Sequence, residues 1–137
     1  MKTYLIDASV VLKSILKEDN SIAKKIGVIL EGVMKGSVEV ISSNFLILEV
    51  ANGIRFREKD AISAKKYLEA FLKLPIKYLF CSREQYKKAL EVSYDIGTTV
   101  YDTSYHVLAK AQNAVFLTCD EDYFSKAKGL GDIELVI

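Results

Sequence analysis

The sequence predicts an α/β fold, a mainly parallel sheet covered by helices on both faces. Three observations carry that reading. Short apolar runs alternate with segments whose apolar residues recur at helical spacing. Two of those runs, Thr3-Tyr4-Leu5-Ile6-Asp7 and Val115-Phe116-Leu117-Thr118-Cys119-Asp120, each end on an aspartate that meets a helical pattern. One proline, no repeat and no low-complexity tract give no sign of an internal boundary, so residues 1–137 are expected to form one domain.

The first strand is expected near residues 3–6. Val11, Leu12, Ile15 and Leu16 follow as a helical stripe that fades in Lys17-Glu18-Asp19-Asn20. Ser21 is placed to cap a second helix carrying Ile22, Ile26, Ile29, Leu30 and Val33, which stops at Gly36. Val38 to Ile41 reads as a short strand. Ser42, Ser43 and Asn44 offer a cap for a helix containing Phe45, Leu48, Glu49 and Asn52. Asp60 opens the next helix, with Tyr67, Leu68, Phe71 and Leu72 on its apolar side and Pro75 marking its end. Ile76 to Phe80 is expected as a strand, and Ser82 and Gln85 have capping-box spacing before a helix ending near Gly97. A helix from about Tyr101-Asp102 to Gln112 leads into a strand at 114–118. A short helix over 122–128 and a strand from Ile133 to Val136 complete the pattern.

Right-handed crossovers put the strand ends carrying Asp7 and Asp120 on the same edge of such a sheet. Ligands of open α/β sheets gather in that crevice. Each acid also has a local reading. Asp7 and Asp120 suit N-caps, which accept backbone N–H bonds, and Asp102 suits the first turn of a helix, where it complements the dipole. Glu49 is harder to explain locally, because it lies within Phe45-Leu46-Ile47-Leu48-Glu49-Val50-Ala51-Asn52, among residues expected to face the core. An ionised glutamate there is costly unless paired or bound to a metal. The competing reading is a surface glutamate whose apolar neighbours merely surround it in sequence. Asn52, three positions on, shares its helical face and is placed to orient Glu49 or to bind a ligand. Four converging carboxylates would repel one another unless neutralised. A hard divalent cation is the natural partner.

Composition narrows the classes further. Half the residues are apolar and 27% are charged, which is globular rather than disordered composition. Nineteen basic residues against eighteen acidic leave a net charge of +1, so any nucleic-acid surface must be local. Arg55, Arg57 and Lys59 follow Glu49, and Lys13 follows Asp7; these cations are candidates to hold phosphates, with a solvated helix face as the competing reading. Cys81 and Cys119 lack metal-type spacing and read as small buried hydrophobes. His106, the only histidine, has no His or Cys companions and reads as structural. Tyr101 and Tyr105 suit either base stacking or core packing. Asp7 interrupts the first apolar run too early for a signal peptide, and no stretch reaches the ~20 apolar residues of a membrane helix, so a soluble, cytoplasmic protein is expected.

Four fragments in order, Tyr4-Leu5-Ile6-Asp7-Ala8-Ser9, Leu48-Glu49-Val50-Ala51-Asn52, Tyr101 to Ala109 and Leu117-Thr118-Cys119-Asp120, give the chain a likeness. It resembles PIN-domain nucleases, and in particular the VapC-type toxins of toxin–antitoxin modules, over nearly its whole length. The resemblance implies a small three-layer α/β/α sandwich and a divalent-metal-dependent endoribonuclease using one or two Mg²⁺ or Mn²⁺ ions. Matched position by position, the acidic site falls on Asp7, Glu49, Asp102 and Asp120. Ser9 matches the hydroxyl residue that supports the first aspartate, and Asp122 is a weaker match nearby. The resemblance also implies a homodimer and a small antitoxin whose tail covers the acidic cleft.

Two other function classes compete. A catalytically silent fold kept as a protein-interaction surface would also bind a small partner. A phosphoryl-transfer enzyme using Asp7 is the other. Phosphatases of the haloacid-dehalogenase kind expect a second aspartate two positions on, where this chain has Ser9.

Overall fold

Five short strands form the centre of the computed structural model, which describes residues 1–137. They are β1 (Lys2–Ile6), β2 (Val38–Ser43), β3 (Lys77–Leu79), β4 (Val115–Thr118) and β5 (Ile133–Leu135). All pairs are parallel, in the order β3-β2-β1-β4-β5. Parallel neighbours need crossovers, and helices supply them. α1 (Ala8–Ile15) and α2 (Asn20–Met34) lead from β1 to β2, and α3 (Leu46–Arg57) and α4 (Ala61–Leu72) lead on to β3. α5 (Arg83–Ile96) and α6 (Val100–Ala111) return the chain to β4. α7 (Glu121–Ala127), with a 3₁₀ turn at Lys128–Leu130, precedes β5.

The chain winds outward from β1 through β2 to β3, then comes back to β4 on the other side of β1. The switch in winding direction therefore falls between β1 and β4, where a crevice opens beyond the strand ends. Ile6 pairs in register with Leu117, so Asp7 and Thr118 emerge side by side. Leu5, Ile6, Val40, Ile41, Phe116 and Leu117 are buried in the sheet, as expected for strands covered on both faces. No buried polar side-chain atom lacks a hydrogen-bond partner. Ser42, for example, donates its hydroxyl to the Ile6 carbonyl at 2.6 Å.

Several boundaries differ from the sequence reading, each for a local reason. Asp19, not Ser21, caps α2, accepting from the Ile22 N–H at 3.1 Å, so the helix starts at Asn20. Ser42 and Ser43 extend β2 instead of capping α3, which has no side-chain cap; the Ser43 hydroxyl takes the Phe45 N–H. Thr99 caps α6, and the helix starts at Val100. The Ser82–Gln85 capping box forms both its bonds, and Gly97 ends α5 in the left-handed conformation that glycine adopts freely. Leu48, expected to face the core, is 63% exposed. The buried face of α3 is Leu46, Val50, Gly53 and Ile54 instead. A side chain at Gly53 would overlap Leu12, so α3 packs against α1 closely enough to exclude even a methyl group. Both cysteines are free, with Cys119 buried and Cys81 half-buried. No helix is long and apolar enough to cross a membrane.

Candidate active site

Asp7 is the first residue beyond β1, and its backbone is still extended there as the N-cap of α1. Its carboxylate accepts three hydrogen bonds. The Ser9 hydroxyl donates to Oδ1 at 2.6 Å, the Val10 N–H donates to Oδ1 at 3.2 Å, and the Thr118 hydroxyl donates to Oδ2 at 2.6 Å. Both hydroxyls also accept. Ser9 Oγ takes the Cys119 N–H at 2.9 Å, and Thr118 Oγ1 takes the Asp120 N–H at 3.1 Å. Each hydroxyl has one proton, already given to Asp7, so the 3.4 Å approach of Ser9 to Thr118 is a contact and not a hydrogen bond. The network ties the end of β1 to the end of β4 through Asp7.

Asp120 caps α7, accepting from the Tyr123 N–H at 3.0 Å. The cap and site readings of Asp7 and Asp120 are thus compatible: one carboxylate oxygen caps while the residue stands at the sheet edge. Asp102 sits in the first turn of α6, behind the Thr99 cap, and accepts from the Thr98 hydroxyl at 3.2 Å. Glu49, half-buried on α3, accepts a hydrogen bond from the buried Tyr105 hydroxyl of α6.

These acids feel one another's charge. Burial pushes Asp7 up to about 6 against its three stabilising hydrogen bonds, and Asp102 adds to the rise. Glu49 is raised by burial and by Asp102. Asp102 is raised by burial, by Asp120 and less strongly by Asp122. Asp102 is therefore the common neighbour of Asp7, Glu49, Asp120 and Asp122. None of the five ion pairs in the chain reaches Asp7, Glu49, Asp102 or Asp120. Asp122 differs, because it is largely exposed and pairs with Lys126 at 3.3 Å.

A group of carboxylates without basic partners is a set of hard oxygen donors, the chemistry a small divalent cation requires. Their spacing is open, since no three acidic, histidine or cysteine side chains close on one point. A cation held by such a set would take one or two direct carboxylates, with water completing its shell, as Mg²⁺ commonly binds.

The other candidates separate. Ser9 is in the network, whereas Asn52 is exposed on α3, beside Glu49 in a shallow cavity. Arg55 is exposed, and with Lys59 and Lys65 it rims a groove between α3 and α4. Arg57 is tied down, donating to the Gly53 carbonyl at 3.3 Å and pairing with Glu18 at 3.3 Å. Lys13 is half-buried on α1, near enough to Cys119 to oppose the effect of burial on that thiol. Burial dominates and pushes Cys119 up to about 11, which keeps it an unreactive thiol at neutral pH.

His106 is buried and fully satisfied. The Gly131 carbonyl can only accept, so Nε2–H donates to it at 2.7 Å, and Nδ1 accepts from the Tyr123 hydroxyl at 2.8 Å. Sequence reasoning gave no role to Thr118, Thr98 or the Tyr105 hydroxyl. Thr118 had a signal, a hydroxyl residue two positions before the second strand-end aspartate. The partnership of Tyr105 with Glu49, 56 residues apart, had none.

The PIN domain family model matches residues 4–130. Sequence comparison with curated proteins finds no match. Among solved structures, VapBC2 from Rickettsia felis, bound to a DNA fragment from its promoter, is similar with TM-score 0.70 and 17% identity, over 97% of this chain and 96% of that one. VapBC-1 from nontypeable Haemophilus influenzae gives TM-score 0.65 and 17% identity, with 97% of each chain covered. VapC20 from Mycobacterium tuberculosis, described as a sarcin-ricin loop cleaving toxin, gives 0.61 and 16%, over 91% of this chain and 95% of that one. At these identities the structures speak for the fold, and the family model, spanning all but the extreme ends of the sequence, speaks for kinship: the chain belongs to the PIN domain family.

Proposed function

We propose that residues 1–137 form one nuclease domain, a divalent-metal-dependent endoribonuclease that acts in the cytoplasm as the toxin of a toxin–antitoxin pair. What supports this reading best is the sheet edge at the switch point, where Asp7 and Asp120 stand just beyond β1 and β4 and Asp102 influences Asp7 and Glu49 and is influenced by Asp120, with no basic side chain paired to any of the four. Membership of the PIN domain family and the fold shared with VapC toxins support it.

Asp7, Asp102 and Asp120 would hold the cation directly or through water, and Glu49 would complete the donor set or orient the attacking water. Bound there, Mg²⁺ or Mn²⁺ would lower the pKa of water and offset charge on the phosphodiester in the transition state. Ser9 and Thr118 fix the Asp7 carboxylate by donating to both of its oxygens. Tyr105 fixes Glu49 in the same way. Arg55 and Lys13 are the candidate phosphate contacts, and Arg57 ranks below them because Glu18 already occupies it. A small antitoxin covering the acidic cleft and a homodimer complete the proposed assembly; the similarity to VapBC structures supports the first.

Ser9 stands two positions after Asp7, where phosphatases of the haloacid-dehalogenase kind need a second aspartate, and it serves Asp7 as a hydrogen-bond donor, which disfavours the phosphoryl-transfer reading. The open spacing of the acids favours one second reading, a silent binding module. One experiment decides. Purified protein, free of any partner, is incubated with a panel of structured and single-stranded RNAs in Mg²⁺, in Mn²⁺ and in EDTA, alongside Asp102→Asn. Discrete cuts that need both metal and Asp102 are expected. A folded, metal-bound protein that cuts none of the RNAs would overturn the nuclease reading in favour of the binding module.

A further inference from the structure

Beside the carboxylates lies a cavity of about 440 Å³ lined by Phe45, Leu48, Glu49, Asn52 and Tyr101. Its aromatic wall is organised. The Phe45 and Tyr101 rings stack at 5.4 Å with 12° between their planes, so Phe45 of the β2–α3 junction backs Tyr101 of α6 and holds its ring in place. Tyr101 is nevertheless 61% exposed, and Leu48 beside it is similarly exposed. Asn52 is exposed, and its amide forms no hydrogen bond within the chain, leaving donor and acceptor free. Tyr101 and Leu48 are thus left facing water at the rim of a charged site, with the half-buried Phe45 ring behind Tyr101.

We propose that this cavity is a subsite for an unpaired nucleobase of the RNA, stacked on Tyr101 with Leu48 as the apolar wall and Asn52 meeting the base edge. The inference rests on the nuclease reading for the identity of its ligand, and deepens it by naming the substrate class. Glu49 belongs both to the cavity and to the acidic group, so a base in the cavity sits within about one nucleotide of a phosphate at the carboxylates. A stacking platform with one free face accepts a base that is splayed out, not one sandwiched within an A-form helix. The favoured substrates are therefore single strands, loops and bulges. Tyr105, the other tyrosine suited to stacking, is buried in the core and committed to Glu49, which leaves Tyr101 for the role.

The chain has no tryptophan, so Tyr101→Trp introduces a single reporter at the proposed contact. In an Asp102→Asn background with Mg²⁺, its emission should be quenched by a single-stranded oligoribonucleotide and not by an abasic oligomer of the same length and charge. In the otherwise wild-type enzyme, Tyr101→Ala should raise KM for a single-stranded substrate roughly 5- to 100-fold with kcat little changed. Tyr101→Phe should restore it and Tyr101→Leu should not, because the contact requires a ring. Tyr101→Phe should unfold like the wild type, and Tyr101→Ala and Tyr101→Leu should remain folded under assay conditions, their unfolding midpoints lowered only by the lost stack on Phe45.

Equal quenching by the abasic oligomer, or a wild-type KM in Tyr101→Ala, would overturn the base subsite and leave the nuclease reading standing. A changed oligomeric mass in Tyr101→Ala, with KM unaltered, would overturn it in favour of a protein contact. If the wild type cuts no RNA the nuclease reading fails, and the tryptophan titration still decides whether a base binds here.

Discussion

The Tyr105 hydroxyl donates to the Glu49 carboxylate and so links α6 to α3 across the edge of the sheet. Tyr105 is itself locked in the core, stacked on Phe116 at 6.2 Å. A rigid donor on a rigid element restricts Glu49 to one orientation, which a glutamate on a helix surface would not otherwise keep. Tyr105→Phe keeps the packing and removes the donor. It should lower kcat/KM by about 10-fold or more, as losing a partner that orients a ligand does, while costing roughly 1.5–3 kcal/mol of stability, the range for a hydrogen bond to a charged group. Steady-state cleavage and urea unfolding would check both, and an unchanged kcat/KM would remove Tyr105 from any role in the site.

If Asp7 holds the proposed cation, metal affinity should depend on pH. Burial, with Asp102 adding, raises it to about 6, so below that pH a cation must displace a proton to bind. Mn²⁺ affinity measured by calorimetry should fall by at least about tenfold per pH unit below 6 and level off above it, with a shallower slope in Asp7→Asn, where the raised Asp102 and Glu49 still compete for protons. In the metal-free protein the sign is fixed by linkage. A folded-state value above the unfolded one means the native state binds more protons between about pH 4 and 6, so this group's contribution to stability declines as pH rises through that window. Thr118→Val removes the donor to Asp7 Oδ2 and should shift the break in the affinity profile upward.

The two arginines of α3 should behave differently. Arg55 is free at the rim of the α3–α4 groove, while Arg57 is held by Glu18 and the Gly53 carbonyl. Arg55→Ala should reduce the slope of log K against log salt for single-stranded RNA by about 0.7, the loss of one phosphate contact. Arg57→Ala should leave the slope unchanged and cost at most about 1 kcal/mol, because its ion pair with Glu18 is exposed. Equal slopes in both variants would take Arg55 out of the RNA interface.

His106 should contribute stability that is lost in acid. Burial holds it below its usual range, and both ring nitrogens are already committed, so the unfolded chain takes up the proton first as pH falls. The unfolded state then binds more protons just below about pH 6.5, and stability falls with pH there, by up to about 1.4 kcal/mol per unit. Comparing wild type with His106→Gln across pH 5–7.5 cancels the opposite contribution of Asp7, present in both. The gap between the two unfolding free energies should narrow as pH falls; a constant gap would refute the assignment.

Where sequence reasoning succeeded and failed follows from the range of the interactions. Alternating apolar runs and helical stripes gave the strand and helix order, because burial periodicity is a local property written into consecutive residues. The Ser82–Gln85 box and the Asp60 cap were legible for the same reason. Ser21 and the Ser42-Ser43-Asn44 cluster misled, because several adjacent polar residues can cap and only the exact end of the preceding segment selects one. The exposure of Leu48 was equally hidden, since α3 turns its small Gly53 face toward Leu12 of α1.

The sequence by itself determined that Asp7 and Asp120 end parallel strands, and handedness of the crossovers then brings them to one edge. Tertiary structure alone decided what holds them. The Thr118 hydroxyl reaches Asp7 across 111 residues only because β4 pairs with β1 in the register Ile6–Leu117. Tyr105 reaches Glu49, and Phe45 meets Tyr101, only because α3 and α6 converge beside the switch point. Such contacts depend on register and packing summed over the whole core, which no local window of the chain contains.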